Sequence, residues 1–283
     1  MRNTLLHALA AGFAAATPED AAGHFTPVLG VAPRVSISKR CNASIQSSNY
    51  NAGFQRQDYW EFTAWRTYTG FLQPILPTSP SPKTIVDVGC GFALYDIHVH
   101  RFYNHTAKII YFDQAGPKTH NVMGKHDTNF KLTGGWHTGV EGNTYRKMPF
   151  YHHDRGCVEE IAVDNGVPRE NVQLLNATAA NMAALDGSVD LIYSHMSWGF
   201  HYPVATYSAA AFKALRPGGK LLLSVIKRFT NARDGMIGGG KSMNPEAEIA
   251  NARSVGFKCD ITNGDKDGYR TVRMYVLVCV KPL

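Results

Sequence analysis

Short apolar runs separated by helix-sized amphipathic stretches dominate this chain from Lys83 onward. Thr84 to Val88 (TIVDV), Lys108 to Phe112 (KIIYF), Val172 to Ala177 (VQLLNA) and Ser188 to Ser194 (SVDLIYS) read as buried strands, rich in β-branched and aliphatic residues and closed by turns. LRPGGKLLLSV, from Leu215, is a fifth strand; FKCDIT and RTVRMYVLVCVKP are the last two. Between them the spacing predicts helices from about Ala93 to Tyr103, over Cys157 to Asp164, over AANMAAL from Ala179, and from Pro245 to Gly256. Asn244 caps that last helix, with Pro245 at its first position. The alternation predicts an α/β fold.

Ahead of Lys83 the pattern is weaker. Met1 to Thr17 holds an apolar run, LLHALAAGFAAA, with the outline of a secretory signal, but His7 interrupts it and an N-terminal helix is the expectation. Thr17-Pro18 opens a second short helix, and residues 21–50 read as loop or a partly ordered arm. Asn51 to Leu76 carries aromatics at helical spacing and ends in the Pro-rich PILPTSPSP, which predicts a helix before the first strand. The division is residues 1–82 as a helical arm and cap and 83–283 as the main domain. Residues 114–156 form an insertion after the second strand, rich in Gly, His, Lys and aromatics.

Composition adds bounds. With 44% hydrophobic and 18% charged residues over 283 positions, the chain has length for one large core. The five cysteines, Cys41, Cys90, Cys157, Cys259 and Cys279, show no metal-type spacing, so the expectation is no zinc site, no disulfide framework, and a reducing, cytoplasmic setting. The histidines of the insertion lack ligand spacing, and no metal is expected. A net charge of +7 favours an anionic partner such as RNA. No apolar run reaches the length of a membrane span.

The chemistry centres on Asp87-Val88-Gly89-Cys90-Gly91-Phe92-Ala93. A strand ending in a glycine turn that opens a helix is a nucleotide-cofactor turn, because a Cβ there would hold a ligand off the main chain. The acid ahead of Gly89 and Gly91 argues against phosphate and suits a cationic ligand. With its D-x-G-x-G-x-A pattern the segment resembles motif I of the Rossmann-like methyltransferases that use S-adenosylmethionine (SAM). The resemblance implies a seven-stranded, mostly parallel sheet whose last strand is antiparallel. Ala93 stands where the family has a third glycine. Asp113, closing the second strand, would accept both ribose hydroxyls of the adenosine, with Gln114 beside it. Asn176 and Ala177 stand where the family has an acid-Ala pair that bonds the adenine amino group, and Ser194 ends the strand nearest the methyl group.

After the fourth strand comes His195-Met196-Ser197-Trp198-Gly199-Phe200-His201-Tyr202-Pro203. His195 is placed to take a proton from an acceptor hydroxyl, and His201 to orient the acceptor. Trp198 and Tyr202 are candidate stacking faces, and core packing is the alternative for Trp198. Tyr59, Trp65 and Arg66 of the preceding helix are further candidate acceptor contacts, with core packing the competing reading for the aromatics. Lys227 and Arg228, after the fifth strand, suit phosphate or carboxylate. This block is similar to that of mRNA cap guanine-N7 methyltransferases and of sugar O-methyltransferases.

The expected function is SAM-dependent methyl transfer to a hydroxyl of a polar acceptor, a sugar, nucleoside or related metabolite. The alternatives are an RNA cap guanine-N7 methyltransferase, and a catalytically silent module of this fold that binds RNA or protein.

Overall fold

A computed structural model describes residues 34–48, 64–65, 68–113, 155–195, 197–199, 203–229, 245–263 and 272–283. Seven strands form one sheet: β1 Thr84–Val88, β2 Lys108–Asp113, β3 Val172–Asn176, β4 Val189–Ser194, β5 Leu215–Phe229, β6 Lys258–Asn263 and β7 Val272–Val280. Their order is β3-β2-β1-β4-β5-β7-β6. β1 to β5 run parallel, and β7 is antiparallel to both β5 and β6. The chain therefore has the doubly wound α/β architecture with an inserted antiparallel strand, as the resemblance implied. The order reverses between β1 and β4, which puts a crevice at their carboxyl ends.

Helices cover both faces. They are α1 Lys39–Ser48, α2 Asp96–Phe102, α3 Arg155–Asp164, α4 Ala179–Ala183, α5 Ser208–Ala214 and α6 Pro245–Ser254. Val86, Val88, Ile110, Phe112, Ile192, Leu221 and Leu223 point to one face and bury against Met182, Ala211 and Ala252 of α4, α5 and α6. Ile85, Ile109, Tyr111, Leu191, Tyr193 and Leu222 point to the other, against Val99 of α2 and Val158 of α3. Period-two alternation within these runs thus fills two apolar layers, which is why the strands read as continuously hydrophobic. At the amino end of β1, Asp190 Oδ2 accepts the backbone N–H groups of Lys83 and Thr84, each at 2.8 Å.

Four expectations need correction. Residues 39–48, read as loop or arm, form α1; Ser38 starts it by accepting the Cys41 N–H at 3.2 Å. The helix after the glycine turn begins at Asp96 rather than Ala93, because Gly91 (φ 58°) and Ala93 (φ 55°) both adopt the left-handed conformation and prolong the turn. The helix before β3 begins at Arg155, so the insertion ends earlier than expected. The cysteines are paired: Cys41 of α1 bonds Cys157 of α3, and Cys259 bonds Cys279. The second pair faces itself in register across β6 and β7 with Cα atoms 4.0 Å apart, and only Cys90 is a free thiol. The inference of a reducing compartment from cysteine spacing loses its basis.

The helix expected over 51–76 is described only in part. A helical turn at Ala64 and Trp65 is followed by a π-helical turn over Tyr68–Leu72. Tyr68, Phe71, Leu72 and Leu76 are buried, and Trp65 lies edge-on to His98 at 5.0 Å. These aromatics seal the layer over α2, and Trp65 packs against it partly buried.

Candidate functional site

The loop between β1 and α2 lies where the sheet order reverses. Gly89 (φ 80°) donates its N–H to Phe112 O at 2.8 Å, tying the loop to β2. A Cβ on Gly89 would overlap the Cβ and Oγ of Ser197, so only glycine lets the loop after β4 close against the loop after β1. Gly91 donates its N–H to Asp113 Oδ2 at 3.0 Å. The Cys90 thiol lies 4.0 Å from the same oxygen, and burial together with Asp113 pushes that thiol well up.

Asp113 and Asn176 are partners in the β2–β3 ladder, and Ala177 N–H bonds Asp113 O at 3.0 Å. The motif-I glycines, Asp113, Asn176 and Ala177 therefore converge at the carboxyl ends of three adjacent strands. Asn176 is exposed, and its backbone carbonyl accepts Asn181 Nδ2 at 2.9 Å, while Thr178 caps α4 by accepting the Asn181 N–H at 3.1 Å.

Asp87 is fully buried, beside Tyr111 on β2 and Tyr193 on β4 in register. Tyr95 donates to its Oδ2 at 2.9 Å. Asp96, from the first turn of α2, is equally buried and accepts the Tyr193 hydroxyl. Burial, and then the charge of Asp96, pushes the Asp87 carboxyl well up; burial pushes Asp96 up to about 7. Sequence reasoning found Asp87 and missed Asp96, Tyr95 and Tyr193. An acid in the first turn of a helix ordinarily reads as a dipole partner, which hides a second use.

At the end of β4, Ser194 is a brace rather than a ligand group. Its hydroxyl donates to Val88 O at 2.7 Å and accepts the Trp198 N–H at 2.8 Å. Trp198 is wholly buried, with Nε1 3.2 Å from the carbonyls of Pro203 and Val204 and its ring edge-on to Tyr207. It fills the core, so the stacking role does not apply. Glu248 of α6 accepts the Val204 N–H at 2.7 Å and anchors the same segment.

His195 is buried, its ring 4.5 Å from that of Phe71 and edge-on to Tyr95 at 6.4 Å. Its Nδ1 has no hydrogen-bond partner among the described residues, and burial lowers its pKa to about 3. It is therefore neutral at physiological pH, and much weaker as a proton acceptor than the sequence position suggested. Tyr59, Arg66, Gln114, His201 and Tyr202 lie outside the described residues. Lys227 and Arg228 are described in backbone only, within β5; Arg228 pairs with Arg273 of β7. Among the described residues no cluster of His, Cys, Asp and Glu could hold a metal ion, and no helix is long and apolar enough to cross a membrane.

No family model and no curated protein matches the chain. Solved structures resemble it. Phosphoethanolamine N-methyltransferase 2 of Haemonchus contortus, bound to phosphomonomethylethanolamine and S-adenosylhomocysteine (SAH), is 11% identical with a TM-score of 0.49 over 77% of this chain and 53% of that one. The cyclase SpnF is 12% identical with a TM-score of 0.49 over 81% of this chain and 84% of that one. Human N-acetylserotonin methyltransferase bound to SAM is 13% identical with a TM-score of 0.43 over 80% of this chain and 53% of that one. The match spans about half the length of the two methyltransferases. The fold itself rests on the strand order and directions of this chain.

Proposed function

We propose that this chain is a SAM-dependent methyltransferase that moves a methyl group, in line, to a hydroxyl of a polar acceptor such as a sugar or nucleoside. The supporting observation is the convergence of the Gly89–Gly91 loop, Asp113 and Asn176 at the carboxyl ends of β1, β2 and β3. The residues fit the cofactor's chemistry. Asp113 offers a carboxylate to ribose hydroxyls and Asn176 an amide oxygen to the adenine amino group. Asp87 supplies negative potential behind the loop for an ammonium group.

SAM brings an electrophilic methyl carbon on a sulfonium. The chain's own work is orientation: the short loop fixes one end, Asp113 fixes the ribose, and the end of β4 faces the acceptor. Neutral His195 accepts a hydrogen bond through a ring nitrogen and orients an acceptor better than it deprotonates one. That observation favours a second reading, the guanine N7 of an RNA cap, whose lone pair attacks with no proton to remove.

The test is methyl transfer from labelled SAM to a panel of sugars, nucleosides and capped RNA, with His195→Gln alongside. Hydroxyl methylation that falls by about 10²-fold or more in kcat in the variant supports the first reading. N7 methylation that changes little supports the second. A chain that binds SAM but methylates nothing in the panel contradicts both and favours the silent module.

A further inference from the structure

Three Asn-x-Ser/Thr triplets occur in the chain: Asn42-Ala43-Ser44, Asn104-His105-Thr106 and Asn176-Ala177-Thr178. Such a triplet can take an N-linked glycan where its Asn stands on the surface and the chain passes through the lumen of a secretory pathway. The fold and the cysteines bear on these two conditions separately.

The fold sets one triplet apart. Asn42 belongs to α1, beside the buried Cys41, and its amide oxygen is itself buried. A sugar on that amide would press on the packing around the Cys41–Cys157 bond. Asn176 ends β3 at the crevice, and the Thr178 hydroxyl of its triplet is spent on capping α4. A glycan there would fill the place assigned above to the adenine.

Asn104 lies at the other end of the sheet, in the turn between α2 and β2. Asn104 and Thr106 are both exposed, and the Asn104 side chain bonds no described residue. The turn beneath them is firmly held. Asn104 and His105 adopt the left-handed conformation at φ 52° and 58°. Asn104 donates its N–H to Arg101 O at 3.1 Å, His105 to His100 O at 2.7 Å and Thr106 to Tyr103 O at 3.0 Å. Asn171 Nδ2 clamps the same turn by donating to His105 O at 2.7 Å. The amide of Asn104 is thus presented to solvent on a fixed base. β2, six residues long, then carries the chain about 17 Å to Asp113, so a glycan on Asn104 stands clear of the crevice.

The cysteines supply the second condition. All five are buried and four are paired. Cys41–Cys157 joins α1 to α3 across 116 residues, and Cys259–Cys279 joins β6 to β7. Disulfides form and persist in oxidising compartments and are rare in the cytosol. The run LLHALAAGFAAA behind Arg2, with its outline of a secretory signal, fits the same route.

We propose that Asn104 carries an N-linked glycan, added in an oxidising secretory lumen. The donor is a lipid-linked oligosaccharide diphosphate. Asn104 Nδ2 forms a bond to the anomeric carbon of the first sugar, the bond from that carbon to the diphosphate breaks, and the lipid diphosphate leaves as one amide proton is lost. No redox change is involved. Asn104 and the disulfides carry this whether or not the crevice binds SAM.

The experiment is cell-free synthesis of the full chain with endoplasmic-reticulum microsomes, read by gel mobility before and after digestion with a peptide N-glycanase. The native chain should show a glycanase-sensitive step to slower mobility, and Asn104→Gln should lose that step. Thr106→Ala, which leaves Asn104 in its turn but removes the triplet, should lose it too, whereas Thr106→Ser should keep it. Mass spectrometry of the glycanase-treated native chain should find Asn104 converted to an aspartate. A native chain with no glycanase-sensitive step overturns the proposal. So does a step that survives unchanged in both Asn104→Gln and Thr106→Ala, or one lost only in Asn42→Gln or Asn176→Gln.

Discussion

Replacing Gly89 by Ala strikes the loop at the point where three elements meet. Two costs can be separated. The first is conformational: at φ 80° an L-residue adopts the left-handed region, at roughly 1–2 kcal/mol. The second is steric: the new Cβ falls on the Cβ and Oγ of Ser197, itself buried, and forcing a methyl into a packed site costs roughly 1–3 kcal/mol. Gly89→Ala should then destabilise by about 2–5 kcal/mol. Ser197→Gly empties the contested space, so in the double variant the steric part vanishes while the backbone part stays. A double-mutant cycle by urea denaturation, disulfides left intact, should give a coupling of about 1–3 kcal/mol with the double variant more stable than additivity allows. Additive effects would refute the reasoning, because they would mean the two loops do not meet. SAH affinity should fall in Gly89→Ala and recover in part in the double variant.

Other consequences follow from burial and cross-linking. Under denaturing, non-reducing conditions thiol titration should find one reactive cysteine, Cys90, and after reduction all five. Breaking Cys259–Cys279, which are separated by 20 residues, should cost about 3.3 kcal/mol, and breaking Cys41–Cys157, separated by 116, about 4.8 kcal/mol, by loop-closure entropy in chemical denaturation. The buried histidines His98, His100 and His195 have folded values below the unfolded one. Their contribution to stability is complete above about pH 6.5 and is lost as pH falls toward 3–4. The Asp87 and Asp96 carboxyls, both raised by burial, work in the opposite direction, so the slope of stability against pH near pH 5 should be shallower than the three histidines alone would give. Asp96→Asn should steepen that slope, and denaturation at several pH values reads it. Trp198→Ala, which empties a fully buried site, should cost about 3–5 kcal/mol in thermal or urea unfolding while leaving a soluble chain to be compared for SAH binding.

The sheet was legible because each strand is a self-contained apolar run between turns, and because D-x-G-x-G marks where the first strand ends in its glycine turn. Asp113 and Asn176 were reached by counting to the ends of the next two strands, and they do pair in register. What escaped depended on tertiary partners. Helix α1 (KRCNASIQSS) has no apolar stripe; Cys41 is held by its bond to Cys157, a neighbour remote in sequence. Cys259 and Cys279 became a pair only through the β6–β7 register. Trp198 and His195 follow the carboxyl end of β4, where the sequence led us to expect a ligand, yet Val204 and Phe71 turn one into core and bury the other. Asp96 looked like an ordinary helix-start acid until the fold set it against Asp87.

The central claim is that the β1 loop and the end of β2 together hold an adenosine cofactor. The most direct test is calorimetric titration of the native chain and Asp113→Ala with SAH. Removal of a carboxylate that bonds the Gly91 N–H and is proposed to serve two ribose hydroxyls should weaken binding about a hundredfold, the equivalent of about 2.7 kcal/mol. Saturable binding to the native chain with that loss in the variant is the expected outcome. A native chain that takes up no SAH, or equal affinity in both proteins, would contradict the account.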